Sequence, residues 1–169
     1  MEAKLQEVYN KIKQGDKSGI ADLNNQLRGK LCKYNGKMYI ILNVYYVELS
    51  KPTDKGFDFI PEIGFSLKSV SCYWKKDMLG FQYPNNFGFA YDFKKLELTK
   101  MNFFEYYNTS IEVGDTVLYI ENELRLNSDL KYGIVEYINE KYLIKSKYDK
   151  EPKLTLVDAS NIFMKELTW

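Results

Sequence analysis

The sequence predicts a mainly β fold (α+β by content), with a short helical N-terminus followed by two small β-barrel-like units in tandem. Three observations carry this expectation. Apolar residues recur near every 3.6 positions in the first thirty residues, alternate at period two after Lys30, and the second half then repeats the outline of the first. The boundaries expected are a helical segment over 1–29, a first unit over 30–101, a linker over 102–110 and a second unit over 111–169.

In the first segment Leu5, Val8, Tyr9 and Ile12 occupy i, i+3, i+4 and i+7, one helical face that Gly15 can end. Asp16 or Ser18 is placed to cap a second short helix carrying Ile20, Leu23 and Leu27, with Gly29 at its close. Both stripes are expected to pack on the sheet that follows.

From Lys30 the run KLCKY, Asn35-Gly36 and KMYIILNVYYVEL is a hairpin signal, because Asn-Gly tolerates the positive φ angles of a two-residue turn. On the long strand both alternating sets are apolar, which implies burial on both faces or a bend between sheets. SKPTDKG reads as a loop, and FDFI and FSLKSVSCYW as short strands separated by Pro61 and Gly64. The aromatic stretch KKDMLGFQYPNNFGFAYDF has poor regularity, and KLELTK reads as a closing strand. In NFFEYYNTS the rings are expected to be wedged inward rather than exposed.

The second unit opens IEVGDTVLYIENE, continues KYGIVEYINEKYLIKSKYDK and ends PKLTLVDASNIFMKE. Gly29 to Tyr34 can be laid on Gly114 to Tyr119, and YDFKKLELTK on VDASNIFMKEL, the outline of a tandem repeat. With five short strands in about 55 residues, the second unit resembles an SH3-like barrel, a resemblance to a superfold that covers about a third of the chain. It implies a binding scaffold and no particular activity.

Composition narrows function more by exclusion. The 169 residues contain 15 Tyr and 10 Phe but no His, which removes imidazole general bases, His-paired nucleophiles and imidazole zinc sites. Cys32 and Cys72 are too few for a thiolate metal site and read as buried residues of a reducing compartment. Net charge is +1, no apolar run is long enough for a membrane span, and the charged N-terminus is no signal peptide. The expected location is the cytoplasm, that of a host cell if the protein is phage-encoded. Abundant Asn, Lys, Tyr and Ile fit an AT-rich genome, such as that of a phage or mobile element.

Phosphate-loop, dinucleotide and calcium-loop patterns are absent, and the carboxylate pairs Asp54/Asp58 and Glu121/Glu123 come with no sign of a cleft. No catalysis, metal or cofactor is therefore expected. The leading expectation is a non-catalytic protein–protein binding module (an adaptor, inhibitor or assembly component) using Phe81, Tyr83, Phe87, Phe89 and Tyr91, with Phe93 in the same aromatic stretch. The alternative is nucleic-acid binding through Lys141, Tyr142, Lys145, Lys147, Tyr148, Lys150 and Lys153, where lysines alternate with rings that could stack on bases. A smaller basic run, Arg28, Lys30, Lys33 and Lys37 around Tyr34, lies in the first unit.

Overall fold

The apolar period of the N-terminus becomes two helices in the computed structural model, which describes residues 1–70, 74–76, 82–84, 87–121 and 130–167, with backbone only for 74–76, 82–84 and 87. The chain divides into two compact units, Met1–Ser69 with Phe87–Lys100, and Val70–Asn86 with Met101–Trp169.

In the first unit α1 (Glu2–Lys13) buries Leu5, Val8 and Ile12, and α2 (Ile20–Leu27) buries Leu23 and Leu27. Gly15 has φ +87, a conformation that ends α1 at no steric cost. The expected side-chain cap of α2 is not made. Asp16 Oδ1 accepts from the Ser18 N–H at 2.9 Å and so tightens the connecting turn, leaving Gly19 at the N-cap. Both helices join a core with Cys32, Ile41, Val44, Ile63, Phe65 and Leu67 from the sheet, as their stripes predict.

That sheet is antiparallel, built from β1 (Lys30–Tyr34), β2 (Lys37–Thr53), β3 (Gly56–Ser69), β6 (Phe87–Ala90) and β7 (Leu96–Asn102), in the order β6-β3-β2-β1-β7. Asn35 and Gly36 both have positive φ (50 and 74), and Tyr34 pairs with Lys37 across them, the two-residue turn expected from the sequence. β2 is buried on both faces at Ile40, Ile41 and Leu42, as its two apolar sets imply, and it also contains a bulge. Leu42 is an extra residue between Ile41, opposite Leu67, and Asn43, opposite Ser66. Such a bulge shifts the alternation by one, so the core takes Tyr39 and Ile41 before it and Val44 and Tyr46 after it.

Two expectations fail here. SKPTDKG is no loop, because β2 runs to Thr53 and β3 begins at Gly56, leaving only the hairpin tip between them. FDFI and FSLKS are likewise one strand. Pro61 interrupts nothing because β6 pairs with β3 at Phe65–Lys68, and among the described residues no strand pairs with that edge of β3 at the proline. Gly64 is required where it stands: a Cβ there would sit 2.6 Å from Cε2 of Tyr45, whose ring lies across the strand.

The second unit contains β4 (Trp74–Lys76) and β5 (Gln82–Pro84), paired as a two-stranded ribbon, the short helix α3 (Phe103–Tyr106), and a second five-stranded antiparallel sheet. The sheet consists of β8 (Thr116–Ile120), β9 (Leu130–Ile138), β10 (Tyr142–Ser146), β11 (Leu154–Val157) and β12 (Ile162–Lys165), in the order β11-β10-β9-β8-β12. Val117, Tyr119, Val135, Ile144, Val157 and Ile162 form its core. The expected bridge is helical where Asn102 and Glu105 form a reciprocal capping box. Phe103 is buried and Phe104 packs on the second core, whereas Tyr106 is exposed. Neither five-stranded sheet closes into a barrel among the described residues.

The two sheets share their local geometry. Each first strand follows a glycine of positive φ, Gly29 (80) and Gly114 (92). Those glycine N–H groups donate to equivalent carbonyls, Ile41 at 2.7 Å and Val135 at 2.8 Å. One residue further on, each second strand has its bulge, at Leu42 and at Glu136. In each sheet a single 3-10 turn, Phe93–Lys95 or Ala159–Asn161, follows an Asp (Asp92 or Asp158) and leads into a last strand lying beside the first. The weak resemblance between the halves of the sequence thus corresponds to matching turns, bulges and strand order.

Candidate functional site

The longest hairpin outruns the body that it belongs to. β1 pairs with β2 only over Lys37–Ile40, and β6 pairs with β3 only over Phe65–Lys68, whereas the β2–β3 ladder continues to Thr53 and Gly56. The outer residues therefore form a two-stranded ribbon. Phe57 and Phe59 are each 67% exposed on it. Strand alternation places them, with Pro61, on the same side as Ile63 and Phe65, which are wholly buried. The core-facing side of β3 thus runs past the end of the core and presents two bare rings. Pro52 lies opposite Phe57 and Ser50 opposite Phe59. Pro52 and Pro61 put a proline on each strand of the ribbon, a substitution that opposes strand addition at an edge.

The sequence did not single out Phe57 and Phe59. The signal was present: two rings two residues apart beside a hairpin tip. It was obscured by reading Pro52 and Pro61 as breaks.

Of the aromatic stretch that the sequence did select, Phe81 lies outside the described residues, and Tyr83 and Phe87 are described only by their backbone, on β5 and β6. Phe89 is 57% exposed. Tyr91 is half-buried, its hydroxyl beside that of Tyr45, and burial followed by that neighbour pushes the Tyr45 phenol up to about 12. Phe93 is a core residue in edge-to-face contact with Tyr9, centroids 5.3 Å apart. Among its described side chains, Phe89 is exposed while Tyr91 and Phe93 are packed.

An open groove of about 470 Å³ runs past Leu49, Glu62, Phe89, Tyr91 and Asp92. Its two carboxylates are differently engaged. Asp92 caps the 3-10 turn by accepting from the Lys94 N–H at 3.2 Å. Glu62 accepts from the Tyr9 hydroxyl at 3.3 Å, and burial raises its pKa above the ordinary value. Of the carboxylates suspected from sequence, Asp54 and Asp58 are exposed at the ribbon tip and Glu121 pairs with Lys131, while Glu123 lies outside the described residues. No group of three His, Cys, Asp or Glu able to hold a metal occurs among the described residues.

Cys32 is a free thiol with no exposed surface, and burial pushes it up to about 12. It is expected to react with a disulfide reagent in native protein no faster than the first unit opens, and immediately in denaturant. Rapid native labelling at Cys32, read by mass spectrometry, would contradict its placement. Cys72 lies outside the described residues.

On the second unit the basic residues are arranged around the sheet. Lys141 pairs with Asp158 at 3.5 Å. Lys145, Lys150 and Lys153 are exposed. Lys147 reaches Thr116 Oγ1 at 3.4 Å and lies 5.5 Å from the centroid of the Tyr148 ring. Of the two rings expected to stack on bases, Tyr148 is 40% exposed and Tyr142 is half-buried against the core. Lys131 is held between Asp149 (3.0 Å) and Glu121 (3.3 Å). Its ammonium holds the Asp149 carboxyl below its ordinary value. Stability from this pair is present at neutral pH and is lost as pH falls through the depressed value. Lys131→Met is therefore expected to flatten the acid limb of a stability-versus-pH curve; an unchanged limb would contradict the pairing.

No helix among the described residues is long and apolar enough to cross a membrane. Comparison with protein-family models, with curated proteins and with solved structures finds no match to this chain.

Proposed function

We propose that the protein is a non-catalytic protein-binding module built from two related SH3-like units, and that the aromatic side of the β2–β3 ribbon is its main contact. The SH3-like reading is supported by the order of the second sheet: four strands in a meander, a 3-10 turn, and a last strand returning beside the first. The corresponding turn, bulge and glycine positions extend it to the first unit.

The observation that carries the functional reading is the pair Phe57 and Phe59, two-thirds exposed on the core side of a ribbon with no core beneath it. Water contact with two such rings costs roughly 2 kcal/mol each relative to burial. Paired exposed rings on one side of a strand are a form that interface anchors take. Prolines on both strands favour docking against the ring face over pairing with an edge.

The test compares wild type with the double variant Phe57→Ser, Phe59→Ser in a proximity-labelling experiment in the native cell. The variant is expected to fold with stability within about 0.5 kcal/mol of wild type, because neither ring is buried. It is expected to lose the protein enriched by wild type. Equal enrichment by both would overturn the reading.

The exposed Lys145, Lys150 and Lys153 support a second reading, single-stranded nucleic-acid binding. Fluorescence anisotropy with labelled oligonucleotides decides it. Binding at low salt that falls steeply with added salt supports it, and no binding at low salt removes it.

A further inference from the structure

We infer that the groove between Glu62 and Phe89 in the first unit is a binding site for a neutral saccharide. The side chains that line it all belong to described residues of that unit. At about 470 Å³ it falls within the range of small-molecule sites, roughly 300–1,000 Å³.

Rings form its apolar part. Phe89 of β6 pairs with Ser66 of β3, so strand alternation places its ring on the same side of the sheet as Glu62. That ring is 57% exposed. Tyr91 and Tyr9 line the same groove half-buried, and Phe93 supports Tyr9 edge-to-face with centroids 5.3 Å apart. Rings already held by packing lose little freedom when a ligand covers them.

Carboxylate oxygens lie among the rings. Oε1 of Glu62 accepts from the Tyr9 hydroxyl at 3.3 Å, and Oε2 has no donor among the described residues. Burial, the largest influence on that carboxyl, raises its pKa, as expected of an anion partly stripped of water. Oδ1 of Asp92 takes the Lys94 N–H at 3.2 Å, and Oδ2 lies 3.8 Å from the Lys95 ammonium. Both carboxylates thus keep acceptor capacity for O–H donors.

The charges favour a neutral ligand. Lys94 lines the groove, and the Lys13 ammonium lies 4.4 Å from the centroid of the Tyr9 ring. Both act on Glu62 in one direction and Asp92 acts in the other. With Lys13, Lys94 and Lys95 set against Glu62 and Asp92, the charges nearly cancel, and an ion of either sign meets repulsion. A wholly apolar ligand would cover Glu62 without replacing its lost water. A sugar ring avoids both faults. Its C–H face packs on an aromatic ring, while its hydroxyls donate to the carboxylates and accept from Lys94.

The probes are maltotetraose, cellotetraose and chitotetraose, each titrated into the full chain and followed by amide NMR. At least one is expected to shift the amides of residues 89–92 at millimolar concentration, with the same affinity at low and raised salt. Phe89→Ala and Glu62→Gln are each expected to weaken that binding roughly tenfold. Both variants should fold as wild type does. The Phe89 ring is mostly exposed, and Glu62→Gln keeps an oxygen to accept from Tyr9.

The inference is overturned if none of the three saccharides moves these amides, or if either variant binds as tightly as wild type. It is also overturned if arginine amide takes the groove in their place with an affinity that salt weakens. The ribbon variant Phe57→Ser, Phe59→Ser is expected to keep full saccharide binding, so this groove and the ribbon can fail separately.

Discussion

Gly133→Ala is expected to destabilise the second unit by about 3 kcal/mol or more, although one methyl group is the smallest side chain that can be added. A Cβ at this position would stand 2.4 Å from Cγ2 of Ile144, 2.8 Å from the carbonyl oxygen of Lys145 and 2.9 Å from Cε1 of Tyr119. None of the three can yield cheaply. Ile144 and Tyr119 have no exposed surface, and the Lys145 carbonyl belongs to the backbone of β10. Gly133 itself pairs with both Val117 and Ser146, so the clash falls at the centre of the sheet. Relief would require β9 and β10 to separate. Gly88→Ala is the control: no atom lies within 4 Å of the added carbon, and the change should stay within about 0.5 kcal/mol. Chemical denaturation of both variants measures the difference. A midpoint for Gly133→Ala matching wild type would contradict the packing of this sheet.

Phe65→Ala is expected to cost about 3–5 kcal/mol in the first unit. Phe65 is wholly buried in the core that receives α1 and α2, opposite Val44 in the ladder and directly after the bulge has shifted the phase of β2. Removing the ring leaves a cavity bordered by strands that cannot collapse without breaking that register. Phe59→Ala, six residues away on the same side of the same strand, should change stability by less than about 0.5 kcal/mol. The contrast measures where the core ends and the ribbon begins. Equal losses at the two positions would show that the ribbon is packed after all.

Much of the architecture was legible because simple periods encode it. The 3.6 spacing gave α1 and α2, Asn35-Gly36 gave the β1–β2 turn, and the alternating C-terminal runs gave five strands. The parts that were not legible have physical causes. At Leu42 one extra residue shifts the alternation, and because β2 is buried on both faces at Ile40, Ile41 and Leu42, period two alone did not reveal the bulge. At Pro61 a residue that breaks central strands fell where β3 has no partner on that edge among the described residues, so a continuous strand looked like two. At Gly64 the residue marked a crossing ring, not a turn.

The candidate site was less legible than the fold, since exposure depends on where neighbouring strands stop. Phe57 and Phe65 read alike in the sequence, yet β6 and the helices cover one and not the other. Within the aromatic stretch the same uncertainty ran the other way, since Phe93 was drawn into the core and Phe89 left outside. Among the lysines and tyrosines of the second unit, strand parity turned Tyr142 inward and Lys145 outward.

In the proposed function, the ring-bearing side of the ribbon contacts another protein. A photo-crosslinking amino acid in place of Phe59, compared with the same group in place of Lys51 on the opposite side, tests it directly in the native cell. A discrete adduct with one other protein from position 59, and none from position 51, is the predicted result. Equal adducts from both positions, or none from position 59, would contradict it.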